Sequence, residues 1–441
     1  MTSLSRRQLL KAFAAGAGMA AVGPGLGGLQ PARASTGPPS SDSRPFPRLP
    51  EGTDTLPQVE HIVVLMMENH SFDCYFGMLG RGDGYQLAGG APVNFCPGPD
   101  RQPVRVYHSP STCQAHYHVG QDWDASHRSW DYGHNDGFVV ATSRDAMAYW
   151  TGDDIPFYYS LARTFPLCDR YFASVMAQTY PNRRFLIAAT ALGQVSDPLP
   201  GPTDPHPPNG TIFDRLNTHG ITWKDYFADL PTVGLFPYLL EDNPGKVVPV
   251  GEFFADAAAG TLPAVSLVDP EGWQGSEENP QDIRTGEYYA SRVIDAVLSS
   301  PAWPRTLLVF TYDEHGGYYD HVPPPRAVRP DAIPPDVAPN DTYGDLYSYY
   351  GFRVPAVVIS PWARRNYVSH LVHDHTSIVR LIGTKWNLPA LTNRDAHASN
   401  LLDCLDLTAR EPPFASPPVL APAPVPAGAP ACYAQDPTTP V

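Results

Sequence analysis

Acidic and amide side chains directly follow three predicted buried strands. The groups are Glu68-Asn69 after residues 61–67, Asp269 after residues 263–268, and Asp313-Glu314 after residues 306–312. Groups beyond the carboxyl ends of parallel strands meet at one edge of the sheet, where ligands bind. Their oxygen atoms suit a divalent cation. One acid at a strand end is usually an exposed loop residue or a helix cap, but three together favour a site.

The stretch FTYDEHGGYYDHVPPP, residues 310–325, adds an acid–imidazole pair beyond a glycine turn. Gly316 and Gly317 let the backbone turn tightly. Because histidine titrates near neutrality, His321 is a candidate to protonate a leaving group or to contact an anion. The alternative is a glycine turn that merely carries polar side chains.

Thr179 precedes a proline turn in SVMAQTYPNRRFL, residues 174–186. A threonine hydroxyl becomes a nucleophile when a neighbouring group, such as a metal, activates it. Without that neighbour, the same pattern indicates a helix cap. Residues 116–138 contain four of the 15 histidines, but their spacing does not indicate which of them face a ligand. His375 to Ser377 are predicted to cap a helix.

Short β-branched runs alternate with segments of helical periodicity. The predicted strands are residues 61–67, 263–268, 306–312 and 354–360, and the predicted helices include 287–300 and 375–386. Continuous apolar runs are typical of strands buried on both faces of a parallel sheet. We therefore predict an α/β fold with a mostly parallel central sheet flanked by helices.

The composition limits the classes of partner. The chain has 441 residues, of which 42% are hydrophobic, and a formal net charge of −15. An acidic surface repels phosphate backbones, so nucleic acid is excluded as an expected partner. Strongly anionic membranes are disfavoured for the same reason, whereas zwitterionic headgroups remain compatible.

The N-terminus has the order of an export signal. Arg6 and Arg7 precede an Ala/Gly-rich apolar stretch and an Ala-Arg-Ala cleavage pattern at residues 32–34. The alternative is a disordered N-terminus that happens to contain two arginines. No later stretch is apolar and long enough to span a bilayer. The predicted divisions are a twin-arginine signal (1–34), a Pro/Ser linker (35–56), one domain (57–410) and a Pro/Ala tail (411–441).

Six cysteines fit an exported protein that forms disulfides; they are Cys74, Cys96, Cys113, Cys168, Cys404 and Cys432. Six cysteines allow 15 pairings. Proximity in the sequence favours Cys96–Cys113 and Cys404–Cys432. A zinc–thiolate site is not expected, because the chain lacks a C-x-x-C pair.

Taken together, several motifs resemble the bacterial phosphoesterase family that contains phosphatidylcholine-type phospholipases C and related acid phosphatases. The matching segments are HIVVLMMENHSFDCYFG, NDGF, FPLCDRYFASVMAQTYPNR, DEHGGYYDHVPPP, GFRVPAVVISPW and HTSIVRLI with NRDA. They cover roughly residues 57–405 in the family's order. The resemblance implies an alkaline-phosphatase-like α/β fold, a site for a divalent metal ion and a covalent phospho-enzyme.

The resemblance also implies roles for individual residues. Thr179 matches the nucleophile and His321 an active-site histidine, while the matches to metal ligands are Glu68, Asn69, Asp313 and Glu314. Asn69 also matches a phosphate contact. The chain departs from the family at His70 and Cys74, where Arg and His are more usual. Gln121 and Asn279 stand where histidines are usual, and we predict that both bind phosphate as amides. His118 is the imidazole nearest to Gln121.

The leading hypothesis is an exported, metal-dependent phospholipase C that acts through a phosphothreonine. It predicts a phospholipid or other phosphate-ester substrate, transient contact with a membrane surface, and export by the twin-arginine machinery. One alternative is an acid phosphatase acting on monoesters. Another is a catalytically inactive binding homologue, which the intact Glu-Asn, Thr and Asp-Glu set disfavours.

Overall fold

The structure is a computed structural model that describes residues 40–114, 119–201, 204–270, 275–337, 347–426 and Cys432. Its strands are β1 (His61–Met67), β2 (Leu87–Ala88), β3 (Ala91–Pro92), β4 (Phe95–Pro97), β5 (Pro103–Arg105), β6 (Tyr107–His108), β7 (Ala148–Tyr149), β8 (Leu167–Cys168), β9 (Trp223–Phe227), β10 (Val247–Pro249), β11 (Val265–Val268), β12 (Thr306–Tyr312), β13 (Ala356–Ile359) and β14 (Val368–Ser369). Eight of these form a sheet in the order β10-β9-β11-β1-β12-β13-β8-β14. The signal predicted for residues 1–34 lies outside the described residues.

Helices cover the sheet and the loops beyond it. They are α1 (Phe72–Phe76), α2 (Trp123–Trp130), α3 (Phe138–Ala141), α4 (Pro156–Thr164), α5 (Thr179–Ala188), α6 (Ile212–Thr218), α7 (Pro237–Asp242), α8 (Gly251–Ala259), α9 (Ile283–Leu298), α10 (His375–Lys385) and α11 (Asn393–His397). None of these described helices combines the length and the apolar composition that crossing a bilayer requires. The predicted α/β architecture is confirmed.

The centre of the sheet positions the strand-end residues. β1 pairs in parallel with β11 on one side and with β12 on the other, and Met67 lies opposite Tyr312. Residues 62–67 of β1 are buried, because both faces of the sheet are covered. This register brings the residues after β1 and β12 to the same edge, as the sequence predicts.

β13 runs against its neighbours. It pairs antiparallel with both β12 and β8, whereas the other pairings in the large sheet are parallel. Its amino-terminal end therefore lies at the edge where β1 and β12 have their carboxyl ends. Arg353, three residues before β13, reaches that edge as a result.

The two predicted helices differ from the expectation at their amino termini, α9 in its first residue and α10 in its cap. α9 begins at Ile283, four residues before the predicted start, because the Asp282 side chain accepts a hydrogen bond from the Arg284 backbone. α10 begins at His375, but its cap is Asp374. The backbone N–H of Asp374 donates to Ser377 Oγ, so Ser377 supports the cap from inside the helix.

The predicted disulfides are wrong. Cys113 is bonded to Cys432, while Cys96 and Cys404 are free and buried. Cys404 instead lies with its Sγ 3.8 Å from Cys168 Sγ.

The path of the C-terminal segment explains this error. Phe414 is buried against Phe165, and the Ala421 backbone donates to Ser160 Oγ on α4. The chain therefore runs away from Cys404 and along α4. Proximity in the sequence could not anticipate a long-range pairing over a separation of 319 residues.

Candidate active site

The residues that follow β1 and β12 lie close together at the carboxyl edge of the two strands, as predicted. The backbone N–H of Asn69 donates to Asp313 Oδ1 over 3.1 Å. Asn69 has a φ of +69°, a region that asparagine tolerates better than most residues. Gly316 packs against it with a φ of +64°, and a Cβ there would lie 1.8 Å from the Asn69 carbonyl oxygen. Glycine is therefore required at position 316 for the two loops to touch.

Thr179 is brought to the same edge from a separate part of the chain. It is the first residue of α5, and its Oγ1 lies 3.5 Å from Asn69 Oδ1. The amino terminus of a helix carries partial positive charge, which stabilises nearby anions. The Thr179 hydroxyl therefore lies beside Asn69, one of the predicted metal ligands.

Arg183 lies one helical turn after Thr179 and joins all three strand ends. Its Nε donates to Asp313 Oδ2 at 3.2 Å, its Nη1 to Asp269 Oδ1 at 3.2 Å and its Nη2 to Glu68 Oε1 at 3.4 Å. Burial alone would lower the pKa of Arg183, but the three carboxylates outweigh burial and raise it. The predicted convergence of the ends of β1, β11 and β12 is confirmed, and the buried guanidinium of Arg183 hydrogen-bonds to an acid from each of them.

Arg183 was not predicted from the sequence to have a role. The available signal was its spacing, because residues four apart lie on the same face of a helix. That spacing places Arg183 on the Thr179 face of α5, but it does not reveal which carboxylates the guanidinium contacts.

Negative charge exceeds positive charge around this edge. Burial, with Glu68 and Glu314 nearby, raises the pKa of Asp313 to about 7 despite Arg183. Burial likewise raises the pKa of Asp197 to about 7, with added repulsion from Asp313 and Glu68. The pKa of Glu314 is raised well above its usual range, again mainly by burial. A further cation would relieve this repulsion.

The predicted metal ligands have the donor chemistry of a divalent-ion site, but their carboxylates are not among the groups of described residues whose ligand atoms lie within 4.8 Å of one another. Oε1 of Glu314 and Nδ2 of Asn69 are buried without a hydrogen-bond partner among the described residues. A buried carboxylate oxygen without a donor is costly unless something else binds it. Glu68 is the more accessible member, with 21% of its side chain exposed. The predicted ligands all offer hard oxygen donors, and the negative charge around them is not fully neutralised; they are Glu68, Asn69, Asp313 and Glu314.

Residues 276–281 form another wall of this region. Ser276 Oγ donates to Glu68 Oε2 at 2.6 Å. Burial and nearby Glu68 raise the pKa of Glu278 to about 8. Asn279 is buried, and its Oδ1 accepts a hydrogen bond from the Tyr318 hydroxyl at 3.2 Å. The segment that carries the predicted phosphate contact Asn279 thus also contacts the predicted metal ligand Glu68.

Gln121 lies in a neighbouring loop. It is mostly buried, and its backbone carbonyl accepts a hydrogen bond from Ser126 Oγ. The loop packs on Gly317, where a Cβ would lie 2.8 Å from the Gly120 carbonyl oxygen. Gln121 is therefore near the glycine turn after Asp313. His118 lies outside the described residues.

His321 belongs to a second cluster. Its Nδ1 lies 2.6 Å from Asp73 Oδ2, and its Nε2 lies 3.3 Å from Asp83 Oδ1. Arg353 pairs with Asp73 at 3.0 Å and with Asp320 at 2.8 Å. Burial would lower the pKa of His321, but hydrogen bonding to Asp73 and the charges of Asp73 and Asp320 raise it.

This second cluster also has metal-binding chemistry. Ligand atoms of Asp73, Asp320 and His321 lie within 4.8 Å of one another. Arg353 already pairs with two of these carboxylates. Less negative charge is therefore left without a partner here than around Glu314. Arg353 could not be identified from the sequence, because only the reversed direction of β13 brings it to this edge.

A cavity of about 560 Å³ opens beside Thr179. Its polar end is lined by Glu68, Thr179, Arg183, Asp197, Asp269 and Glu278, and its other walls include Leu199, Phe227, Leu230, Leu235, Leu240 and Val247. Cavities of this size enclose most of a small organic ligand. The hydroxyl and the carboxylates therefore face a space in which a substrate can bind.

Comparison with known proteins places this geometry in context. Residues 59–389 match the Phosphoesterase family. A non-hemolytic phospholipase C from Pseudomonas aeruginosa is 32% identical over 388 residues, covering 76% of this chain and 54% of that protein. Phospholipase C A from Mycobacterium tuberculosis is 31% identical over 390 residues, covering 76% of this chain and 74% of that protein. The chain thus spans about half the length of the first relative and about three quarters of the second.

A likeness to solved structures is more distant. A protein in the alkaline phosphatase superfamily from Vibrio parahaemolyticus aligns over 82% of this chain and 71% of its own, with a TM-score of 0.37 and 10% identity. At this level the likeness adds nothing to the chemistry inferred from the site itself.

Proposed function

This chain belongs to the Phosphoesterase family, and we propose that it is an exported, metal-dependent phosphoric ester hydrolase that acts through a phosphothreonine. The observation that carries this proposal is the position of Thr179, whose Oγ1 lies 3.5 Å from Asn69 Oδ1 at the amino terminus of α5. A hydroxyl in that position faces the cavity beside the unbalanced carboxylates.

Glu68, Asn69, Asp313 and Glu314 are the residues that would hold the metal ion. When bound, a divalent cation supplies Lewis-acid chemistry, which acidifies a nearby hydroxyl and withdraws charge from phosphoryl oxygens. Arg183 keeps Glu68 and Asp313 in place through its hydrogen bonds to both. Its guanidinium is already engaged by three carboxylates, so its first role is to position them.

Two displacements at phosphorus make up the reaction. In the first, the bond from Thr179 Oγ1 to phosphorus forms and the bond from phosphorus to the leaving oxygen breaks, with the hydroxyl proton lost and a proton gained by the leaving alcohol. In the second, a water oxygen replaces Oγ1 on phosphorus. The phosphorylated product leaves and the threonine hydroxyl is restored.

Asn69 and the amino terminus of α5 can stabilise the negative charge on the phosphoryl oxygens in the transition state. The Nδ2 of Asn69 is a buried donor without a partner, so it is available to a phosphoryl oxygen. The positive end of the α5 dipole favours the same charge. Gln121 and Asn279 remain our proposed further phosphate contacts. Asn279 is the better supported of the two, because its segment contacts Glu68 through Ser276.

His321 remains our proposed proton donor to the leaving alcohol. Both of its ring nitrogens are engaged, one by Asp73 and the other by Asp83. Direct donation would require release from Asp83, whose side chain is 37% exposed and the more accessible of the two partners. A raised pKa keeps the imidazole protonated to higher pH, which suits a general acid.

We propose a phospholipid as the substrate, so that the enzyme acts as a phospholipase C. The support comes from relatives in Pseudomonas and Mycobacterium that are named phospholipase C. The test is a substrate panel containing a phosphomonoester, a phosphorylcholine diester and a phosphatidylcholine dispersion, each with and without a chelator. We expect chelator-sensitive hydrolysis, with the diesters cleaved faster. Preferential monoester cleavage with phosphatidylcholine untouched would instead identify an acid phosphatase.

A further inference from the structure

The cavity beside Thr179 has two chemically different ends. One end carries the carboxylates and the nucleophilic hydroxyl already described. The other is formed by the edge of the sheet and a short helix, with Phe227 at the end of β9, Val247 at the start of β10, and Leu240 on α7. Leu235 is buried beneath them. This second end is here called the apolar flank.

Two exposed leucines also line the cavity. Leu199 is 50% exposed and Leu230 is 37% exposed. Exposed leucines are common singly, but these two line one cavity together with the apolar flank. An apolar group in the cavity would therefore have several aliphatic and aromatic side chains to contact, although Asp229, Thr232 and Asn243 also line it.

The charges of the cavity disfavour a second phosphate group at the apolar flank. Arg183 is the only basic residue among the described residues that line the cavity, and three carboxylates already engage it. Asp229 adds a further acid near Leu230. A second phosphate, as in a nucleotide or a polyphosphate, would find no cation to bind there. A hydrocarbon chain needs no such partner and gains from leaving water.

We infer that the apolar flank is a binding subsite for the hydrocarbon substituent of the phosphate ester. This inference rests on the proposed function and deepens it, because it assigns the preferred substrates to esters of apolar alcohols. The phosphorus would lie by Thr179 and the alkyl chain along Phe227, Leu235 and Leu240. Specificity would then depend on chain length as well as on the headgroup.

The experiment measures kcat/KM for two series of soluble esters, each below its critical micelle concentration. One series is the methyl, butyl and octyl esters of phosphorylcholine, and the other is the corresponding alkyl monophosphates. Each methylene that becomes buried is expected to raise kcat/KM about fourfold until the flank is filled. Monomeric substrates ensure that any effect arises in the cavity and not at a lipid surface.

The variants are Leu240→Ser and Leu230→Ser, with Leu87→Ser as the matched control. Leu87 is 51% exposed on β2 and does not line the cavity. We expect the octyl-to-methyl ratio of kcat/KM to fall at least about fivefold in the two cavity variants and to remain unchanged in the control. Because the ratio is taken within each protein, a partial loss of folded enzyme does not affect it.

The outcomes separate the two proposals. A chain-length dependence that is confined to the monophosphates supports the subsite but contradicts the phospholipase C assignment. Equal kcat/KM for methyl and octyl esters in the wild type overturns the subsite and leaves the esterase proposal standing. An unchanged ratio in both cavity variants also overturns the subsite. Failure to hydrolyse either series overturns both proposals.

Discussion

The hydroxyl of Thr179 lies 3.5 Å from the amide oxygen of Asn69, a residue 110 positions earlier in the chain. One end of this contact is fixed by the start of α5, and the other by the turn after β1. The Asn69 backbone is itself hydrogen-bonded to Asp313, after β12. Three separate segments therefore meet at the proposed reaction centre, and each can be tested by substitution.

Loss of a metal ligand should remove metal and activity together. Asp313→Asn and Glu314→Gln each keep the side-chain shape but replace an anionic oxygen with an amide. We expect activity to fall by more than about 100-fold, since even indirect metal contacts are commonly worth 10- to 100-fold. Metal content measured on purified protein should fall in parallel.

The matched control is Glu287→Gln, which changes a buried carboxylate outside this cavity. It should retain both metal and activity. Metal content that stays at the wild-type level in the Asp313 and Glu314 variants would contradict their assignment as ligands.

Glu277 should anchor the wall that carries Ser276 and Glu278. Three buried tyrosine hydroxyls, those of Tyr75, Tyr158 and Tyr312, donate to its carboxylate over 2.6 to 2.8 Å. Glu277→Ala leaves all three donors buried without an acceptor. We expect the free energy of unfolding to fall by about 3 kcal/mol or more, since each unpaired buried group costs about 1–3 kcal/mol.

Chemical denaturation measures this loss, and Tyr158→Phe provides the comparison. That change removes one donor and leaves the carboxylate two others, so it should cost about 1 kcal/mol. If Glu277→Ala proves no more destabilising than Tyr158→Phe, the anchor has been overestimated.

Stability should depend on pH through Glu287. Burial raises its pKa from 4.5 to about 8, with the charge of Glu277 adding to the shift and the backbone N–H groups of Phe157 and Tyr158 opposing it. A carboxyl group whose pKa is raised by folding stabilises the fold below its unfolded pKa. That contribution is lost as the pH rises through its folded pKa.

Glu287→Gln stays neutral at every pH and should escape this loss. Relative to the wild type, it should gain about 4 kcal/mol between pH 5 and pH 9, since one pKa unit corresponds to about 1.4 kcal/mol. Urea unfolding of both proteins at the two pH values measures the difference. A difference that is constant with pH would show that Glu287 ionises normally in the folded protein.

Export should require Arg6 and Arg7, which precede an apolar stretch and an A-x-A pattern in the sequence. Changing both to lysine keeps the charge but alters the pair that a receptor reads. We expect uncleaved precursor to accumulate in the cytoplasm, as seen by fractionation and immunoblotting. Wild-type levels of exported double variant would rule out the twin-arginine assignment.

The sequence predicted the centre of the fold because its signals are local. Residues 61–67 and 306–312 are continuous apolar runs with acids at their ends, and the structure has β1 and β12 within the same bounds. Parallel pairing then brings Asn69 and Asp313 together. The convergence of Glu68, Asp269 and Asp313 follows from that rule alone.

The remaining features depend on long-range geometry. Arg353 joins Asp73 and Asp320 only because β13 runs antiparallel, and a short apolar run does not encode its own direction. The pairing of Cys113 with Cys432 depends on the path of the C-terminal segment past α4. The residues of the apolar flank lie far in the sequence from the motifs that carry the family resemblance. Periodicity and spacing carry no information about such contacts.

Thr179 is the residue whose substitution best separates nucleophile from ligand. Thr179→Ala removes the attacking oxygen from a partly exposed site, so it should abolish turnover at a cost of less than about 1 kcal/mol in stability. Metal content should remain, because Thr179 is not among the proposed ligands. Thr179→Ser keeps the oxygen and should retain measurable activity.

The most direct test of the covalent mechanism is to quench the wild-type enzyme with acid during turnover and map phosphate by peptide mass spectrometry. We expect phosphate on the peptide that contains Thr179 and no phosphate on the Thr179→Ala protein treated in the same way. An unmodified Thr179 peptide, together with a Thr179→Ala variant of near wild-type activity, would contradict the mechanism.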